Sequence, residues 1–536
     1  MVSSSPISDP DKPRILSDVP IKLQNGQLAR FVSFANLSDP KEHVAIVFGD
    51  IESLKSPLVR VHSECLTGDV FGSRRCDCGF QLSEAIERLS LKGGVLLYLR
   101  QEGRGIGLYE KLAAYDLQIH QNMDTYKANL ALGHTEDSRD FKVASEMLAA
   151  LNLNKISLLS NNPDKQYQLE AFGVYVTKRF PTSVHIHEDN KSYLEAKANE
   201  NRHVFDHHPR DIFFMTKALD QAKLGLGRTA PNPSVGCVIV KDNEIIASAR
   251  TADSGRPHAE SLALESAGHK AKDAEMFVTL EPCNHHGVTS PCVDAIIKAG
   301  VQRVVIACSD PHASTNGQSI KKLQSAGIEV LTGVLQSQAQ KINQGFFLSL
   351  NEKRPLITLK IATSLDGKIA TGNGHSKWIT GEVSRKRVHL LRALHDGIMV
   401  GSETYLKDNP SLNVRDVDYD GPTKKRIVID RQGRLADEDN LIILRHQNIE
   451  ENLNELVDLG LTRVLVEGGG KLISSLIKHG LWDELYWFKA PIIIGNEGVP
   501  AFDNFDLSHI EGAMSLSLGS FERLGKDSLE VWRRDK

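Results

Sequence analysis

A histidine and two cysteines near the middle of the chain constrain its fold more than any other feature. His258 begins a stretch with helical periodicity, Cys283 follows a short apolar run typical of a strand, and Cys292 comes after eight intervening residues. A neutral imidazole and two thiolates are good ligands for Zn²⁺, and they leave a fourth position for water. A helix and a strand must therefore deliver these side chains to one point.

A carboxylate accompanies this histidine. Glu260 stands two residues after the first ligand and is free to carry protons. A zinc-bound water beside a carboxylate is the arrangement that replaces an exocyclic amine of a nucleobase by oxygen. The alternative is a structural zinc site, for which His285 or His286 would supply a fourth protein ligand. The pattern favours catalysis because H-x-E followed by P-C is specific.

Three more cysteines form a second cluster with the spacing of metal ligands. Ten residues separate Cys65 from Cys76, and Cys78 follows on a turn tight enough to require Gly79. Three thiolates and a water make an open, catalytic type of zinc site, which carries one net negative charge when Zn²⁺ is bound. Such a centre needs cations, and four arginines are close in sequence: Arg74, Arg75, Arg100 and Arg104.

The rest of the composition narrows the class of protein. Seven cysteines among 536 residues are not a disulfide framework, and the two outside the clusters, Cys237 and Cys308, lie in apolar runs that we expect to be buried. The net charge of −4 argues against broad nucleic-acid binding. The sequence shows no secretory signal and no apolar run of membrane-spanning length. We expect a cytoplasmic protein with small-molecule substrates.

Length and the alternation of strand-like with helix-like stretches indicate about three domains of α/β and α+β type. Val44–Phe48 is typical of a buried strand, and helical patterns separate it from later ones. We expect a disordered tail over residues 1–18, a first domain over 19–200, a linker over 201–210, a second domain over 211–350 and a third over 354–536.

The first region resembles GTP cyclohydrolase II through VHSECLTGDVFGSRRCDCGFQL, RQEGRGIGL and NNPDK. The resemblance implies zinc on the three clustered cysteines, Asp137 as proton acceptor, and Arg139 at the α-phosphate of GTP or as a transient nucleophile. The implied reaction opens the imidazole ring of GTP, releases formate, and cleaves off pyrophosphate with Mg²⁺. The implied GTP ligands are Arg60, Glu64, Gln81, Glu102, Arg104, Ser160 and Lys165.

This region departs from the family at one run of residues. The run that is expected to begin with a catalytic tyrosine begins here with Met123 and continues to Lys127. A thioether cannot donate the hydrogen bond that a phenol donates, and Tyr126 lies nearly one helical turn away. An alternative is therefore a GTP-binding domain without activity, attached to an active deaminase and reductase.

The middle region resembles the deaminase half of the bifunctional riboflavin deaminase/reductase, which has a cytidine deaminase-like fold. The motifs PNPSVGCVIV, PHAE and TLEPCNHHGVTSPC carry the match. The resemblance implies zinc on His258, Cys283 and Cys292, proton transfer by Glu260, and substrate contact by Asn232. Two loops of the family pattern are altered here, at residues 247–251 and 315–319.

The last region joins a strand, Gly468, Gly469 and Gly470 to a helix, which suits a dinucleotide pyrophosphate or a simple tight turn. With TLKIATSLDGKIA, SKWITG and DNPSLNVR it resembles the reductase half of the same enzyme, related in fold to dihydrofolate reductase. The resemblance implies NADPH near Ser364, Thr380, Gly401 and the three glycines. It implies substrate contacts from Lys360, Asp366, Trp378, Asp408, Leu412, Arg415 and Glu467.

The three resemblances are consecutive steps of riboflavin biosynthesis and together cover nearly the whole chain. The leading hypothesis is a fusion enzyme that converts GTP to a deaminated, reduced pyrimidine with two zinc sites, Mg²⁺ and NADPH, working as a homodimer. A second hypothesis keeps the fold but supplies a flavin-like secondary metabolite, because the runs near Met123, Arg250 and Asn316 are altered. A polynucleotide deaminase is disfavoured, since no basic stripe accompanies the zinc ligands.

Overall fold

The computed structural model describes residues 12–23, 26–121, 123, 125–134, 139–199, 206–284, 290–311, 316–503, 505 and 507–534. The chain divides into two compact units, Met1–Phe213 and Phe214–Lys536. The first strand begins at Arg14 and pairs antiparallel with the second. The expected disordered tail over residues 1–18 is therefore wrong for residues 14–18, whose backbone is held in this ladder.

The first unit is built on a seven-stranded mixed sheet. Neighbouring strands are antiparallel from β1 to β5 and parallel from β5 to β7, in the order β1-β2-β3-β5-β4-β6-β7. β4 and β5 are buried along most of their length, as is typical of strands covered on both faces. The strands are β1 Arg14–Lys22, β2 Leu28–Ala35, β3 Val44–Phe48, β4 Leu58–Ser63, β5 Gly94–Leu99, β6 Lys155–Leu159 and β7 Tyr175–Phe180.

Parallel pairing of β4, β5 and β6 determines where chemistry collects in this unit. The carboxyl ends of parallel strands meet at one edge of a sheet, so the segments that follow Ser63, Leu99 and Leu159 converge there. A 3₁₀ turn at Glu102–Gly105 follows β5. The helices are α1 Leu66–Asp69, α2 Cys78–Lys92, α3 Leu108–Gln121, α4 Thr125–Ala131, α5 Lys142–Ala150, α6 Pro163–Ala171 and α7 Lys191–Asn199.

The second unit contains a five-stranded sheet with the order β12-β11-β10-β8-β9. β8 and β9 form a hairpin, and its two turn residues, Asp242 and Asn243, both have positive φ, as a type I′ turn requires. The strands are β8 Gly236–Lys241, β9 Glu244–Arg250, β10 Glu275–Val278, β11 Arg303–Ile306 and β12 Glu329–Thr332. The helices are α8 Pro209–Leu224, which begins inside the expected linker and crosses the boundary of the units, α9 Ala259–Ala267, α10 Cys292–Ala299, α11 Gln318–Ser325, α12 Gln336–Ile342 and α13 Gln344–Asn351.

An eight-stranded sheet follows in the same unit, in the order β17-β16-β15-β18-β13-β19-β22-β21, while β14 pairs with β20. Its strands are parallel from β17 to β19, and β22 and β21 complete it antiparallel. The strands are β13 Leu356–Thr363, β14 Lys368–Ala370, β15 Gly397–Gly401, β16 Lys425–Ile429, β17 Leu441–Leu444, β18 Arg463–Val466, β19 Glu484–Lys489, β20 Val499–Pro500, β21 Leu516–Leu524 and β22 Asp527–Arg534. The helices are α14 Glu382–Ala393, α15 Ser402–Asp408, α16 Ile449–Asp458 and α17 Gly470–Lys478.

Two cations, Lys424 and Arg228, form bonds between segments that flank the two sheets of the second unit. Lys424 lies just before β16, is buried, and donates from Nζ to the carbonyl oxygens of Gly227 (2.7 Å) and Ala393 (2.8 Å). Arg228 pairs with Asp253 at 2.9 Å and with Asp420 at 2.8 Å. These bonds link segments that flank the two sheets within the second unit.

The mixed sheets in both units confirm the predicted multidomain α/β fold class. The division into three domains stays a prediction, because the five-stranded and eight-stranded sheets share one unit. None of the helices in the described ranges combines the length and the apolar character that a membrane crossing requires.

Candidate active sites

The first site is the cluster of three cysteines at the carboxyl edge of the first sheet. Cys65 follows β4, and Cys76 and Cys78 lie on the turn that enters α2, with the three Sγ atoms all within 4.8 Å of one another. A Cβ at Gly68 would lie 2.8 Å from Cys76 Sγ, and a Cβ at Gly79 would lie 2.4 Å from the carbonyl oxygen of Gly68. The predicted need for glycine at 79 thus comes from a close approach of two backbones, and Gly68 leaves room beside the sulfur atoms.

The cation that touches this cluster is a lysine. Lys111 Nζ lies 3.1 Å from Cys65 Sγ and 2.7 Å from Glu102 Oε1. Burial opposes the ammonium charge, but the negative charges of Cys65 and its neighbours outweigh burial and raise the pKa of Lys111. Of the four arginines expected to help, Arg74 pairs with Asp189 and Arg100 with Glu64, whereas Arg104 lines the cavity and the guanidinium of Arg75 lies 5.2 Å from the centre of the Tyr115 ring.

Lys111 belongs to an inward face of α3 that the sequence reasoning missed. Lys111, Tyr115 and Gln118 recur at helical spacing and line the same cavity as the cysteines, whereas Leu112 and Ile119 on this helix are 45% and 55% exposed. The helix therefore turns polar residues inward and leaves apolar residues outside. The available signal was the spacing of four and then three residues, which places these side chains on one face.

A tyrosine is present in this cavity, although not at position 123. Tyr115 lines the cavity, and Met123 is not among the described residues around it. Burial raises the pKa of Tyr115 to about 12, so its phenol stays protonated at neutral pH. The cavity thus contains a phenol from α3, eight residues before position 123, and Tyr193 also lines it.

The residues predicted to bind GTP converge on this cavity. Arg60 is buried and donates to Gln81 Oε1 at 2.7 Å, and Lys165 donates to the carbonyl oxygen of Val61 at 2.7 Å. Asp137 lies outside the described residues. The cavity is lined by Arg60, Glu64, Gln81, Glu102, Arg104, Arg139, Ser160 and Lys165 together with the three cysteines.

A buried network holds the loop that carries Cys65. Asp69 accepts hydrogen bonds from the backbone N–H of Cys65 and from the hydroxyl of Tyr98, both at 2.9 Å, and lies 3.1 Å from His62 Nε2. Burial lowers the pKa of His62, so the ring is neutral at pH 7. The sequence motif contains His62 and Asp69, but only the fold shows that they support a cysteine.

The second site brings together His258, Cys283 and Cys292. His258 precedes α9, Cys292 begins α10, and Cys283 follows β10. His258 Nδ1 lies 3.4 Å from Cys292 Sγ and 3.6 Å from Cys283 Sγ, while the backbone N–H of Cys292 donates to Cys283 Sγ at 3.2 Å. The predicted three-ligand cluster is therefore assembled. His285 and His286 lie outside the described residues.

Glu260 lies in the first turn of α9 beside this cluster. It is 3% exposed, and burial raises the pKa of its carboxyl to about 6. A carboxyl group whose pKa lies near neutrality can both accept and return a proton. Cys237 and Cys308 are buried, as predicted.

Asn232 is held in a fixed orientation by the loop before α9. Its Nδ2 donates to the carbonyl oxygen of Gly255 at 2.8 Å, and a Cβ at Gly255 would lie 2.5 Å from Nδ2. Of the two altered runs, residues 247–250 end β9, and Arg250 pairs with Asp253 at 2.9 Å. In the other run, residue 315 is outside the described ranges, and the Gly317 N–H donates to Glu281 Oε2 at 3.1 Å.

The third site lies at the carboxyl ends of β15, β18 and β13, which are neighbours in the sheet. Glu467 follows β18 and accepts two hydrogen bonds from Arg392, at 2.5 and 3.0 Å, while Lys360 Nζ from β13 lies 3.8 Å away. Burial lowers the pKa of Lys360. Sequence reasoning missed Arg392, which also donates to the carbonyl oxygen of Asn413 at 2.8 Å and so connects Glu467 to the loop of Leu412 and Arg415.

Other residues expected at this site make separate contacts. Asp366 accepts from the backbone N–H groups of Ile494 (3.1 Å) and Gly495 (2.8 Å). Trp378 is 71% exposed, and the guanidinium of Arg385 lies 4.2 Å from the centre of its ring. Asp408 is exposed at the last residue of α15. The structure does not bring these three into the network of Glu467.

Two helices that begin directly after a glycine lie beside this network. Their N-termini are the candidate positions for the pyrophosphate of a dinucleotide. Gly401 ends β15 and precedes α15, and Gly469 precedes α17. A Cβ at Gly470 would lie 2.9 Å from the carbonyl oxygen of Ala501, whereas a Cβ at Gly401 would meet nothing within 4 Å. Bare amides at a helix start suit a pyrophosphate. Ser364 and Thr380 lie in the segments after β13 and before α14.

Comparison with known proteins gives matches along most of the chain. Family models match at residues 14–181 (GTP cyclohydrolase II), 209–308 (cytidine and deoxycytidylate deaminase zinc-binding region) and 355–529 (RibD C-terminal domain). The riboflavin biosynthesis protein RibD of Aquifex aeolicus is 38% identical over 356 residues, which are 60% of this chain and 98% of that protein. The GTP cyclohydrolase-2 of Psychromonas ingrahamii is 56% identical over 177 residues, 33% of this chain and 88% of that protein. The RibD structure of Acinetobacter baumannii covers 61% of this chain and 99% of its own, at 35% identity and a TM-score of 0.58.

Proposed function

The chain belongs to the GTP cyclohydrolase II family over residues 14–181 and to the RibD family of riboflavin biosynthesis proteins beyond residue 209, and on this premise we propose three consecutive reactions for it. It is a multifunctional enzyme of riboflavin biosynthesis. The proposed steps convert GTP to 2,5-diamino-6-(ribosylamino)pyrimidinone 5′-phosphate with release of formate and pyrophosphate, deaminate the pyrimidine, and reduce the ribosyl to a ribityl chain with NADPH. The observation that carries the proposal is that one chain holds two clusters of three metal-ligand side chains and, at the third site, a charged network of Lys360, Arg392 and Glu467.

The first site fits Zn²⁺, because three sulfur atoms lie within 4.8 Å of one another. A bound Zn²⁺ supplies Lewis acidity and activates water there. Around it, Tyr115 donates a hydrogen bond from a protonated phenol, Glu102 and Arg60 orient the nucleotide, and Arg139 meets the α-phosphate. Asp137 is the proposed proton acceptor.

Magnesium is proposed to enter with the phosphates of GTP. Among the described residues, two groups of three side chains are arranged to hold a metal ion, and both contain cysteine sulfur. Mg²⁺ prefers oxygen ligands instead. Protein sites of this kind commonly hold Mg²⁺ through one or two carboxylates and the substrate phosphates. Mg²⁺ is therefore proposed to bind together with the triphosphate of GTP, and not at a metal site that the protein forms by itself.

The alternative is a GTP-binding first domain without activity. It rests on Met123 in place of a tyrosine, whereas Tyr115 lines the cavity. A flavin-like product remains the second candidate only for the middle region, where residues 247–251 depart from the family pattern.

At the second site the ligand set of one imidazole and two sulfur atoms fits Zn²⁺. The ion supplies an activated water when it is bound. Glu260 takes the proton of the attacking water and gives it to the leaving amine, which departs as ammonia. Burial keeps this carboxyl close to the pKa that both transfers need.

At the third site the glycines at residues 401 and 468–470 fit the pyrophosphate of NADPH, which supplies the two electrons of the reduction when bound. Lys360 and Arg392 are two cations around the single carboxylate of Glu467. One positive charge is therefore left over, which suits a phosphate-bearing substrate. Asp366, Trp378 and Asp408 are proposed to reach the substrate from outside this network.

Free cysteines throughout the described residues support the proposal of a cytoplasmic enzyme with small-molecule substrates. A homodimer and three domains divided near residues 205 and 352 complete the proposal.

The test uses the purified full-length chain with GTP and Mg²⁺, first without and then with NADPH, and follows formate release and product mass. The expected result is formate, followed by a deaminated pyrimidine that gains two hydrogen atoms only when NADPH is present. Glu260→Gln should stop the sequence at the diamino product. The proposal fails if no formate is released while supplied ring-opened pyrimidine is still converted, because the first site would then be inactive.

A further inference from the structure

Lys111 is a buried cation whose bonding capacity is used entirely inside the first site. It is 8% exposed. Its Nζ lies 3.1 Å from Cys65 Sγ, 3.0 Å from Thr67 Oγ1 and 2.7 Å from Glu102 Oε1. An ammonium has three N–H donors, so each donor has one partner in the protein.

The carboxylate partner of this lysine, Glu102, is itself fixed to the loop that carries Cys65. Glu102 accepts from Lys111 through Oε1 and from the backbone N–H of Leu66, the residue after Cys65, through Oε2 at 2.6 Å. Lys111, Glu102 and the Cys65 loop therefore form a closed ring of hydrogen bonds. Such a ring fixes the direction from which the N–H group meets the sulfur.

Charge explains why a lysine belongs there. Zn²⁺ with three thiolates carries one net negative charge, and a buried net charge is costly unless an opposite charge lies close to it. Two of the four arginines close in sequence pair with carboxylates, Arg74 with Asp189 at 3.0 Å and Arg100 with Glu64 at 2.8 Å, and Arg75 lies over the ring of Tyr115, whereas Lys111 contacts a sulfur directly. A lysine ammonium is a compact point charge and fits between a sulfur and a carboxylate.

We propose that Lys111 is a positioning residue of the first zinc centre: its N–H···S bond to Cys65 offsets the charge of the three thiolates and fixes Glu102 beside them. This inference rests on the proposed zinc site of the first unit. The bond draws electron density from the sulfur, so Cys65 donates less strongly and the bound metal becomes a stronger Lewis acid. The anionic complex is also stabilised relative to the metal-free thiols.

The test measures metal binding rather than turnover. The full-length chain carries Cys283→Ser and Cys292→Ser, so that only the first centre binds metal. In this background Lys111→Met, Lys111→Arg and the control Arg74→Met are compared with the parent. Zinc affinity is measured by competition with a chromophoric chelator, and Co²⁺ replaces Zn²⁺ to record the sulfur-to-metal charge-transfer bands.

Lys111→Met is expected to weaken zinc binding about 10–100-fold, as is common when an outer partner of a metal ligand is removed. The charge-transfer bands should move to longer wavelength, because the sulfur regains electron density. Lys111→Arg should restore most of both properties. Arg74→Met removes a positive charge two residues from Cys76 without touching a sulfur, and it should leave both near the parent values.

Each outcome supports or overturns the inference. Parent-like affinity and bands in Lys111→Met would overturn it, as would an equal effect of Arg74→Met. If Lys111→Met does not fold by circular dichroism, Lys111→Gln keeps an N–H donor without the charge and takes its place. A parent chain that binds no metal at this centre would overturn the proposed zinc site itself, which distinguishes that failure from failure of the inference.

Discussion

The two metal-ligand clusters of this chain differ in charge, and their surroundings differ accordingly. With Zn²⁺ bound, three thiolates leave one negative charge, whereas one imidazole and two thiolates leave none. The first cluster has an ammonium 3.1 Å from a sulfur. The second has a buried carboxyl, Glu260, in the helix turn after its histidine. The number of thiolates at each centre thus indicates whether a positive or a negative side chain lies beside it.

This difference also separates the proton-carrying groups. A buried carboxylate next to an anionic centre needs a cation beside it, and Glu102 of the first site is paired with Lys111 at 2.7 Å; as proton-carrying group there we propose the phenol of Tyr115, whose pKa burial raises to about 12. The neutral second centre tolerates Glu260, whose pKa of about 6 lets it take and return a proton. Two zinc-type sites on one chain therefore suit ring opening and deamination by different chemistry.

The largest expected effect concerns Glu260, the buried carboxyl group of the second site. Glu260→Gln should reduce deamination about 10²–10⁴-fold, because an amide cannot transfer the proton that general acid–base catalysis requires. Formate release and NADPH oxidation with supplied deaminated substrate should stay within twofold, measured on the same preparation. Zinc content of two per chain should be retained, and a loss of one zinc would show that Glu260 acts structurally.

The next largest effect concerns Tyr115, the phenol of the first site. Tyr115→Phe should slow formate release about 100-fold by removing a hydrogen-bond donor from the transition state, while deamination of supplied substrate is unchanged. Met123→Tyr is the matched control, since it restores the residue expected from the family and should have little effect. A marked gain of formate release in Met123→Tyr would move the catalytic role back to position 123.

A steric change should remove metal from the first centre alone. In Gly68→Ala the new Cβ would lie 2.8 Å from Cys76 Sγ and 3.1 Å from Cys65 Sγ, an overpacking of about 2 kcal/mol or ~30-fold in zinc affinity. Zinc content by atomic absorption after dialysis should fall from two toward one. Gly72→Ala serves as control, because a Cβ there meets no atom within 4 Å. Its φ is positive, so a small loss of stability without metal loss is expected.

The smallest effect concerns the network behind Cys65. Asp69→Asn keeps the shape but weakens the acceptor for the Cys65 N–H and the Tyr98 hydroxyl. Zinc affinity of the first centre should fall about 10-fold, with no change at the second. Zinc binding equal to the parent would mean that the loop is held by packing alone.

The sequence predicted which cysteines and which histidine come together, partly because short turns set some of the spacings. Cys76 and Cys78 share one turn, and His258 and Glu260 share the start of a helix, so local geometry brings each pair together. The alternation of strands and helices likewise predicted the α/β class. The tail was misjudged at residues 14–18, because the apolar side chains of β1 are exposed and the strand is ordered by its backbone ladder with β2, not by a buried face.

Residues that act across the fold could not be found in this way. Lys111 lies 46 positions from Cys65, and Arg392 lies 75 positions from Glu467. Their roles depend on which helix face turns inward, and for α3 that face is the polar one, contrary to the usual pattern. The arginines adjacent to the cysteines in sequence were expected to supply charge, but acidic partners hold two of them elsewhere.

The amino-acid sequence by itself determined the donor atoms, the order of the three sites and the glycines that allow close approach, since these depend on residue type and on short-range geometry. The tertiary structure alone decided which cation meets the thiolates, which tyrosines, Tyr115 and Tyr193, line the cavity and which arginine holds Glu467. The physical reason is that charge compensation and burial act through space. The strands that bring such partners together are paired by long-range packing, which spacing along the chain does not encode.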